Sequence, residues 1–286
     1  MYNKREQNIE IFRDTEKLCR TNPHLLDAIK KSNTAQYVLT EETPLSITDA
    51  HPYSQPCKVT VSTKRTLEAA GAYRGRKVCI HNFASATNPG GGVTKGSGAQ
   101  EEAVCRCSSL YFNITEPNIV RDFHDRHRYL LRAGNLDARY NDDCIFTPEV
   151  QVFKSDTAQP KLLPETDWYS VDVITCAAPN LREQPSNSMN PNSGRKPVRL
   201  SEKELLDLHM KRMRRILNIA KKEQEEVLIL GAFGCGAFCN SPKVVAEAMA
   251  RVIREFQYDF MTIEFAVYCR PKDTQNYDEF RRRLGQ

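Results

Sequence analysis

The sequence contains no apolar run near the roughly 20 residues that a membrane-spanning helix requires, so no transmembrane segment is predicted. Ten cysteines among 286 residues are too few for a disulfide scaffold. The excess of basic residues is also small, because 41 lysines and arginines stand against 36 aspartates and glutamates, which gives a formal charge of +5. Such a charge suits an anionic ligand but does not indicate a dedicated nucleic-acid surface.

The cysteines occupy apolar or loop contexts, which favours reduced thiols, and we expect a cytoplasmic protein. The closest spacings are Cys105-x-Cys107 and Cys235-x3-Cys239, and neither has a second pair at zinc-finger distance. No structural metal is therefore predicted. The first residues are basic without a following apolar stretch, so we also expect no secretory signal.

The chain length allows one large domain or two small ones. Residues 8–39 carry apolar positions at helical intervals, interrupted at Thr21-Asn22-Pro23, which predicts two helices. We therefore expect an N-terminal helical extension over residues 1–55 and a main domain over residues 56–286. A polar stretch rich in serine, asparagine and proline, residues 184–197, predicts a long surface loop of the kind that is often functional.

From residue 57 onward, short runs rich in valine and isoleucine alternate with helical patterns. Ser201 and Glu204 form a capping box before a helix over residues 201–222, and Ser241-Pro242 predicts another helix start. Each strand ends in a polar or glycine cluster, as in sheets that are covered on both faces. The pattern predicts a three-layer α/β domain, whose ligands bind beyond the carboxyl ends of the strands. The predicted strands are KVTVS, KVCIHNFAS, VDVITCAAPN, EVLILGAFG and MTIEFAVYC, and the first helix between them is TKRTLEAAGAYRG.

The first glycine-rich loop is NFASATNPGGG, which follows a predicted strand. Its three consecutive glycines, residues 90–92, can turn N–H groups toward a phosphate without a Cβ in the way. Gln100, Glu101 and Glu102 then open an apolar-periodic helix. Two adjacent carboxyls at one helix start rarely ionise together, and general acid/base chemistry exploits this arrangement.

The second glycine-rich loop, GAFGCGAFCN at residues 231–240, also joins a predicted strand to a helix. It matches neither the dinucleotide-binding fingerprint nor a P-loop, because no Gly-Lys-Ser/Thr follows. A second N–H-rich turn flanked by phenylalanines fits a nucleotide diphosphate held between two loops. Phe233 is expected in the core and Phe238 at the ligand.

Three glycines, seven residues and then Gln-Glu-Glu resemble the signature of poly(ADP-ribose) glycohydrolases. The settings NFASATNPGGG and GAFGCGAF are similar to the microbial-type branch of that family, and the resemblance covers most of residues 10–275. It implies an α/β/α macrodomain core with a mixed sheet and hydrolysis of a ribose–ribose or ribose–protein glycosidic bond. It implies no metal or dissociable cofactor. The implied partner is ADP-ribose or poly(ADP-ribose) on modified proteins, and we expect a monomer that binds no membrane and no nucleic acid sequence-specifically.

The resemblance also implies roles for individual residues. Glu102 would be the catalytic acid and base, Glu101 would hold the hydroxyls of the cleaved ribose, and Gln100 would position the loop. The two glycine loops would grip the diphosphate from two sides, while Phe238 would pack on the terminal ribose, which either Ser85 or Asn88 would also bind. The full set of implied substrate-binding residues is Gln100, Ser85, Asn88, Gly90, Gly91, Gly92, Val93, Gly234, Cys235, Gly236, Ala237, Phe238 and Asn240.

Two other functions use the same loops: a non-catalytic reader of ADP-ribose, and a phosphatase or deacetylase of ADP-ribose derivatives. The two glutamates argue against a reader, which needs no protonating carboxyl. A nucleophilic Cys235 is disfavoured, because His81 is the sole histidine adjacent to either loop and lies within or before a strand. The basic run at residues 211–215 predicts a solvated helix face, with polyanion binding as the alternative.

Overall fold

The computed structural model describes residues 3–47 and 50–285. Seven strands and ten α-helices alternate along these residues, joined by short 3₁₀ turns and one π-helical turn, Val120–Asp125. The strands are β1 Tyr37–Leu39, β2 Lys58–Ser62, β3 Val78–Phe83, β4 Cys144–Val152, β5 Tyr169–Cys176, β6 Val227–Leu230 and β7 Thr262–Ala266. The helices are α1 Lys4–Thr21, α2 Pro23–Ala35, α3 Thr66–Ala70, α4 Gln100–Cys107, α5 Leu110–Ile114, α6 Pro117–Ile119, α7 Arg126–Ala133, α8 Glu202–Lys222, α9 Pro242–Ile253 and α10 Gln275–Leu284.

The strands form one mixed sheet in the order β1-β4-β5-β3-β6-β7-β2. Neighbouring strands from β5 to β2 are parallel, whereas β4 is antiparallel to both β1 and β5. The parallel strands β3, β5, β6 and β7 end at one edge of the sheet, so the loops that follow them meet there.

Apolar residues cover both faces of the sheet. On one face α8, α9 and α10 supply Met213, Val245 and Phe280, and on the other α1 and α4 supply Phe12 and Val104. The predicted three-layer α/β fold is therefore confirmed. Among the described residues, no helix combines the length and apolar character needed to cross a bilayer.

The helix boundaries follow from local chemistry. The side chain of Asn22 accepts a hydrogen bond from the Leu25 N–H and Pro23 occupies the first turn of α2, so the predicted break between two helices is confirmed. The capping box of Ser201 and Glu204 is also present at the start of α8. The helix predicted over residues 63–75 is shorter, since α3 ends at Ala70 and a 3₁₀ turn follows.

Two strands were not predicted from the sequence. β4 contains Pro148 and Glu149, the latter at φ +54°, and these interrupt the β pattern at a register shift. β1 lies within the predicted N-terminal extension but pairs with β4 as an edge strand of the same sheet. The division at residue 55 stays a prediction.

The basic run on α8 does not form the solvated face that was expected. Arg212 is buried, donates to the Asp142 carboxylate at 2.8 Å and also donates to the carbonyl of Ala177. Arg215 donates to backbone carbonyls, including that of Asp142 at 3.1 Å. The prediction is wrong for these two residues because their charge is used inside the fold.

Candidate active site

A cleft of about 400 Å³ opens at the edge of the sheet where the parallel strands end. Its walls come from both glycine-rich loops, the start of α4 and the segment after β7. The predicted site residues that line it are Ser85, Gly91, Gly92, Gln100, Glu101, Glu102, Gly234, Gly236, Ala237 and Phe238.

The first glycine loop packs directly on the two glutamates. Gly91 has φ +59°, and a Cβ at this position would lie 2.5 Å from Oε1 of Glu102. The Gly92 N–H donates to Glu102 Oε1 at 2.8 Å, and the Gly91 N–H donates to the carbonyl of Asn88. These two N–H groups therefore have acceptors within the protein, and in this arrangement they hold the carboxylate and the turn rather than facing a phosphate.

Glu102 has one anchored and one free carboxylate oxygen. The residue is 6 % exposed, and its Oε2 atom has no hydrogen-bond partner among the described residues. A buried carboxyl oxygen without a partner is costly for folding, and such costs concentrate at functional sites. Glu102 thus lines the cleft, and one of its carboxyl oxygens is not committed to a hydrogen bond among the described residues.

Glu101 is held more firmly. One of its oxygens accepts from the Ser85 N–H at 2.8 Å, and the other accepts from the Asn82 side chain at 3.4 Å. Burial, followed by the adjacent Glu102 charge, raises the pKa of Glu101 well above its usual value. Glu101 therefore retains a proton to a higher pH than an isolated glutamate would.

Gln100 joins the start of α4 to the end of β3. Its side-chain oxygen accepts from the Phe83 N–H at 2.9 Å, while its amide donates to the His81 carbonyl and to the Thr66 hydroxyl. These bonds fix the helix that carries both glutamates to the sheet, and the loop-positioning role implied for Gln100 stays a prediction.

The second glycine loop presents the unused N–H groups that the sequence led us to expect. The backbone N–H groups of Gly234, Gly236, Ala237 and Phe238 have no acceptor among the described residues, and all four residues line the cleft. Gly234 has φ +78°, and a Cβ there would lie 2.7 Å from Ala178. A run of free N–H groups is an anion-binding arrangement.

Five predicted binding residues do not line the cleft. Val93 is buried in the apolar layer under the first loop, and Gly90 packs against Tyr111. Cys235 packs on the core, where burial raises the pKa of its thiol, and this opposes a nucleophilic role. Asn88 donates to the Gly91 carbonyl and shapes the first loop.

Asn240, the fifth of these residues, anchors the second glycine loop. Its side-chain amide donates to the carbonyls of Pro179, Gly234 and Phe238, and its Oδ1 atom is 2.8 Å from Nε2 of His209. It is 2 % exposed. The side chain therefore determines the shape of the loop instead of facing the cleft.

The core position predicted for Phe233 is confirmed, while the ligand contact predicted for Phe238 stays a prediction. Phe233 is buried and contacts His81, with ring centroids 4.4 Å apart. Phe238 lines the cleft, and Arg182 lies over its ring at 5.6 Å.

Residues 184–197 contain no helix or strand and reach the cleft. The Ser85 hydroxyl donates to Asn190 at 2.5 Å, and Met189 packs against Gly92. Ser85 also accepts from the Asn88 N–H, so it connects this loop with the first glycine loop. The predicted loop is confirmed, and Asn187, Met189 and Asn190 form part of the cleft wall.

Other cleft residues were not identified from the sequence. Tyr268 follows β7, and Arg65 lies over its ring at 3.8 Å. Both residues follow the end of a strand, and this position could have identified them as cleft residues from the sequence. Asp156 and Asn276 also line the cleft, but they lie in segments that no sequence pattern marked.

A buried acid pair at the carboxyl edge of an α/β/α sheet is typical of a macrodomain-like hydrolase. The family model of the microbial-type PARG catalytic domain matches residues 6–155, just over half of the chain, and the chain belongs to this family. PARG denotes poly(ADP-ribose) glycohydrolase. The family resemblance, the fold class and the glycosidic hydrolase class predicted from the sequence are thereby confirmed.

Solved structures of this enzyme class are similar in fold to this protein over nearly its whole chain. The poly(ADP-ribose) glycohydrolase of Thermomonospora curvata is 27 % identical with a TM-score of 0.80, over 98 % of this chain and 100 % of that one. The same enzyme with the inhibitor ADP-HPD is 26 % identical with a TM-score of 0.76, over the same shares. The Deinococcus radiodurans enzyme in complex with ADP-ribose is 30 % identical with a TM-score of 0.72, over 90 % of this chain and 96 % of that one. A comparison with curated protein sequences finds no significant match.

Proposed function

We propose that this chain releases ADP-ribose by hydrolysing the O-glycosidic ribose–ribose bond of poly(ADP-ribose), or the bond between ADP-ribose and a modified protein. Glu102 is assigned as the general acid and base. The observation that supports this assignment most directly is its free Oε2 atom, which belongs to a carboxyl fixed by the Gly92 N–H at the wall of the cleft.

The chemistry of an acetal explains why one carboxyl can serve both steps. Cleavage at the anomeric carbon passes through an oxocarbenium-like state, and the departing oxygen must be protonated while the ribose is held still. Glu102 in its protonated form gives this proton, and as a carboxylate it then activates the attacking water. The raised pKa of Glu101 favours a proton on this neighbouring carboxyl before the substrate reacts.

The rest of the ligand fits the remaining walls. The diphosphate is assigned to the free N–H groups of the second glycine loop, and the terminal ribose to the space beside Phe238. Glu101 then contacts the hydroxyls of that ribose. The diphosphate charge close to the reacting carbon favours the positive charge that develops there.

A non-catalytic reader of ADP-ribose would use the same diphosphate loop. Glu102 argues against this alternative, because a binding module gains nothing from a buried carboxyl oxygen without a partner. A phosphatase or deacetylase of ADP-ribose derivatives is tested by offering ADP-ribose 1″-phosphate and O-acetyl-ADP-ribose beside the polymer.

Glu102→Gln tests the proposal. We expect release of ADP-ribose from automodified polymerase to fall by at least 10²-fold, because the amide neither gives nor takes the proton. ADP-ribose binding, measured by calorimetry, should be retained. Glu202→Gln is the matched control, since Glu202 is exposed in the first turn of α8. Near wild-type release by a folded Glu102→Gln protein would refute the assignment.

We also propose that the chain acts as a monomer in the cytoplasm and binds no specific nucleic-acid sequence. All ten cysteines are free thiols in the structure, which agrees with a reducing compartment. Sedimentation equilibrium tests the monomeric state, and a dimer at micromolar concentration would contradict it.

A further inference from the structure

Basic side chains surround the rim of the cleft that lies beside Glu102. We call Lys4, Arg5, Arg65 and Lys95 the basic rim. Lys4 and Arg5 belong to the first turn of α1, Lys95 follows the first glycine loop, and Arg65 lines the cleft itself. These residues are far apart in the sequence, and only the fold brings them to one place.

Arg5 lies beside the first glycine loop. Its guanidinium lies 3.6 Å from the sulfur of Met189, and the Met189 side chain packs against Gly92. Gly92 in turn donates its N–H to Glu102. The backbone of Arg5 also packs closely on Gly96, so this turn of α1 is fixed next to the first glycine loop.

Lys4 and Lys95 extend the positive charge on both sides of Arg5. The Lys4 ammonium donates to the carbonyl of Ala158, two residues after Asp156 in the cleft wall, and Lys95 donates to the Ser188 carbonyl at 2.7 Å. Burial, followed by the charges of Arg106 and Arg65, lowers the pKa of Lys4. The contribution of Arg106 and Arg65 to this shift shows that Lys4 lies within electrostatic range of other cations.

The basic rim has few acidic neighbours, although Arg65 lies within electrostatic range of Asp156. Among the residues that the structure describes, none of its four members forms an ion pair with a carboxylate, and Glu6 in the same turn of α1 forms none either. Elsewhere on α1, Asp14 pairs with Lys154 at 2.7 Å. A cluster of unneutralised cations at a cleft mouth attracts and holds polyanions.

We infer that the basic rim binds the diphosphate of the ADP-ribose unit on the leaving-group side of the scissile bond. This inference rests on the proposed function. The unit beyond the scissile bond is joined to the ribose at Glu102, and it must therefore leave the cleft past this carboxyl. Its diphosphate then passes the rim that Arg5, Lys4 and Lys95 form.

A double variant of α1 tests the inference. Lys4→Gln/Arg5→Gln is compared with Arg13→Gln/Lys17→Gln, which removes the same two residue types from exposed positions on the same helix. One substrate is long-chain poly(ADP-ribose), and the other is ADP-ribose with a neutral fluorogenic group at the anomeric carbon. The second substrate carries no charge beyond the scissile bond.

We expect Lys4→Gln/Arg5→Gln to raise KM for the polymer by about tenfold at low salt, since each exposed charge contact contributes modestly. Its kcat, and its kcat/KM for the fluorogenic substrate, should match wild type. The slope of log KM against log salt should fall by about one for each phosphate that the variant no longer binds. The Arg13→Gln/Lys17→Gln protein should behave as wild type with both substrates.

Three outcomes would overturn the inference: an unchanged polymer KM, an equal rise in the control pair, or an equal loss with the fluorogenic substrate. Loss of affinity for a single-stranded oligonucleotide with polymer KM unchanged would assign the rim to nucleic acid and would also overturn it. The proposed function fails separately, if wild-type protein releases no ADP-ribose from either substrate.

Discussion

Replacement of Asn240 separates a structural anchor from a ligand contact. In Asn240→Ala, the carbonyl of Pro179 and Nε2 of His209 lose the only hydrogen-bond partner that each has among the described residues. Both groups are enclosed by the fold, and each orphaned buried group costs about 1–3 kcal/mol. We therefore expect the free energy of unfolding to fall by about 3 kcal/mol, out of the 5–15 kcal/mol typical of a folded protein.

The same change should weaken ligand binding indirectly. The amide of Asn240 fixes the turn that carries the four free N–H groups, so ADP-ribose affinity should fall by about tenfold. Denaturant unfolding and calorimetric titration with ADP-ribose measure the two effects. Cys239→Ala is the control, because this exposed neighbour lies in the same loop and its side chain makes no comparable hydrogen bonds among the described residues.

The result that would refute this reasoning is a loss of ADP-ribose affinity without a loss of stability. In that case the Asn240 side chain would contact the ligand, as the family resemblance implied, and its hydrogen bonds to the loop would contribute little. A change in unfolding free energy within about 0.5 kcal/mol of wild type, the range of ordinary surface substitutions, would lead to the same conclusion.

Two further changes test the site and its support. Gly91→Ala places a methyl group 2.5 Å from Oε1 of Glu102, so we expect kcat to fall by about 100-fold. Gly134→Ala is the control for backbone strain, because Gly134 also has a left-handed backbone, at φ +77°, but has open space around it. Both variants are measured for kcat and Tm. Burial lowers the pKa of His81 to about 3 in the folded protein, whereas the unfolded chain takes up this proton near pH 6.5. Between these two pH values the unfolded state therefore binds more protons than the folded state. The free energy of unfolding consequently falls as the pH decreases through this range. His81→Leu should remove this loss of stability, which is about 2 kcal/mol between pH 6.5 and pH 5. Denaturant unfolding of both proteins at pH 7.5 and pH 5 measures it. If the variant loses as much unfolding free energy between the two pH values as wild type does, the prediction is contradicted.

Much of the fold could be predicted because its signals are local. Helix α8 begins at a capping box, α2 begins after an asparagine cap with proline in its first turn, and the parallel strands are short apolar runs. β4 was missed because Pro148 and the left-handed Glu149 break its alternation, and its pairing with β5 compensates for the break. β1 has only three residues, and it exists because β4 offers it a partner.

The sequence by itself determined the chemistry of this protein. Two glycine-rich loops after strands and a glutamate pair at a helix start specify which groups are present, because glycine is required where the backbone has a left-handed φ or approaches a carboxyl closely. It also identified Gln100 and Phe238, whose types and positions suit a positioning amide and a packing ring.

Only the tertiary structure decided how those groups are used. The N–H groups of Gly91 and Gly92 serve protein acceptors while those of the second loop stay free, and both results depend on contacts between distant segments. The same applies to Arg5, which reaches Met189 across 184 residues of chain, and to Arg212, whose charge is paired inside the fold. Hydrogen bonding, burial and charge pairing are properties of neighbours in space, and a linear pattern contains no information about which distant neighbours meet.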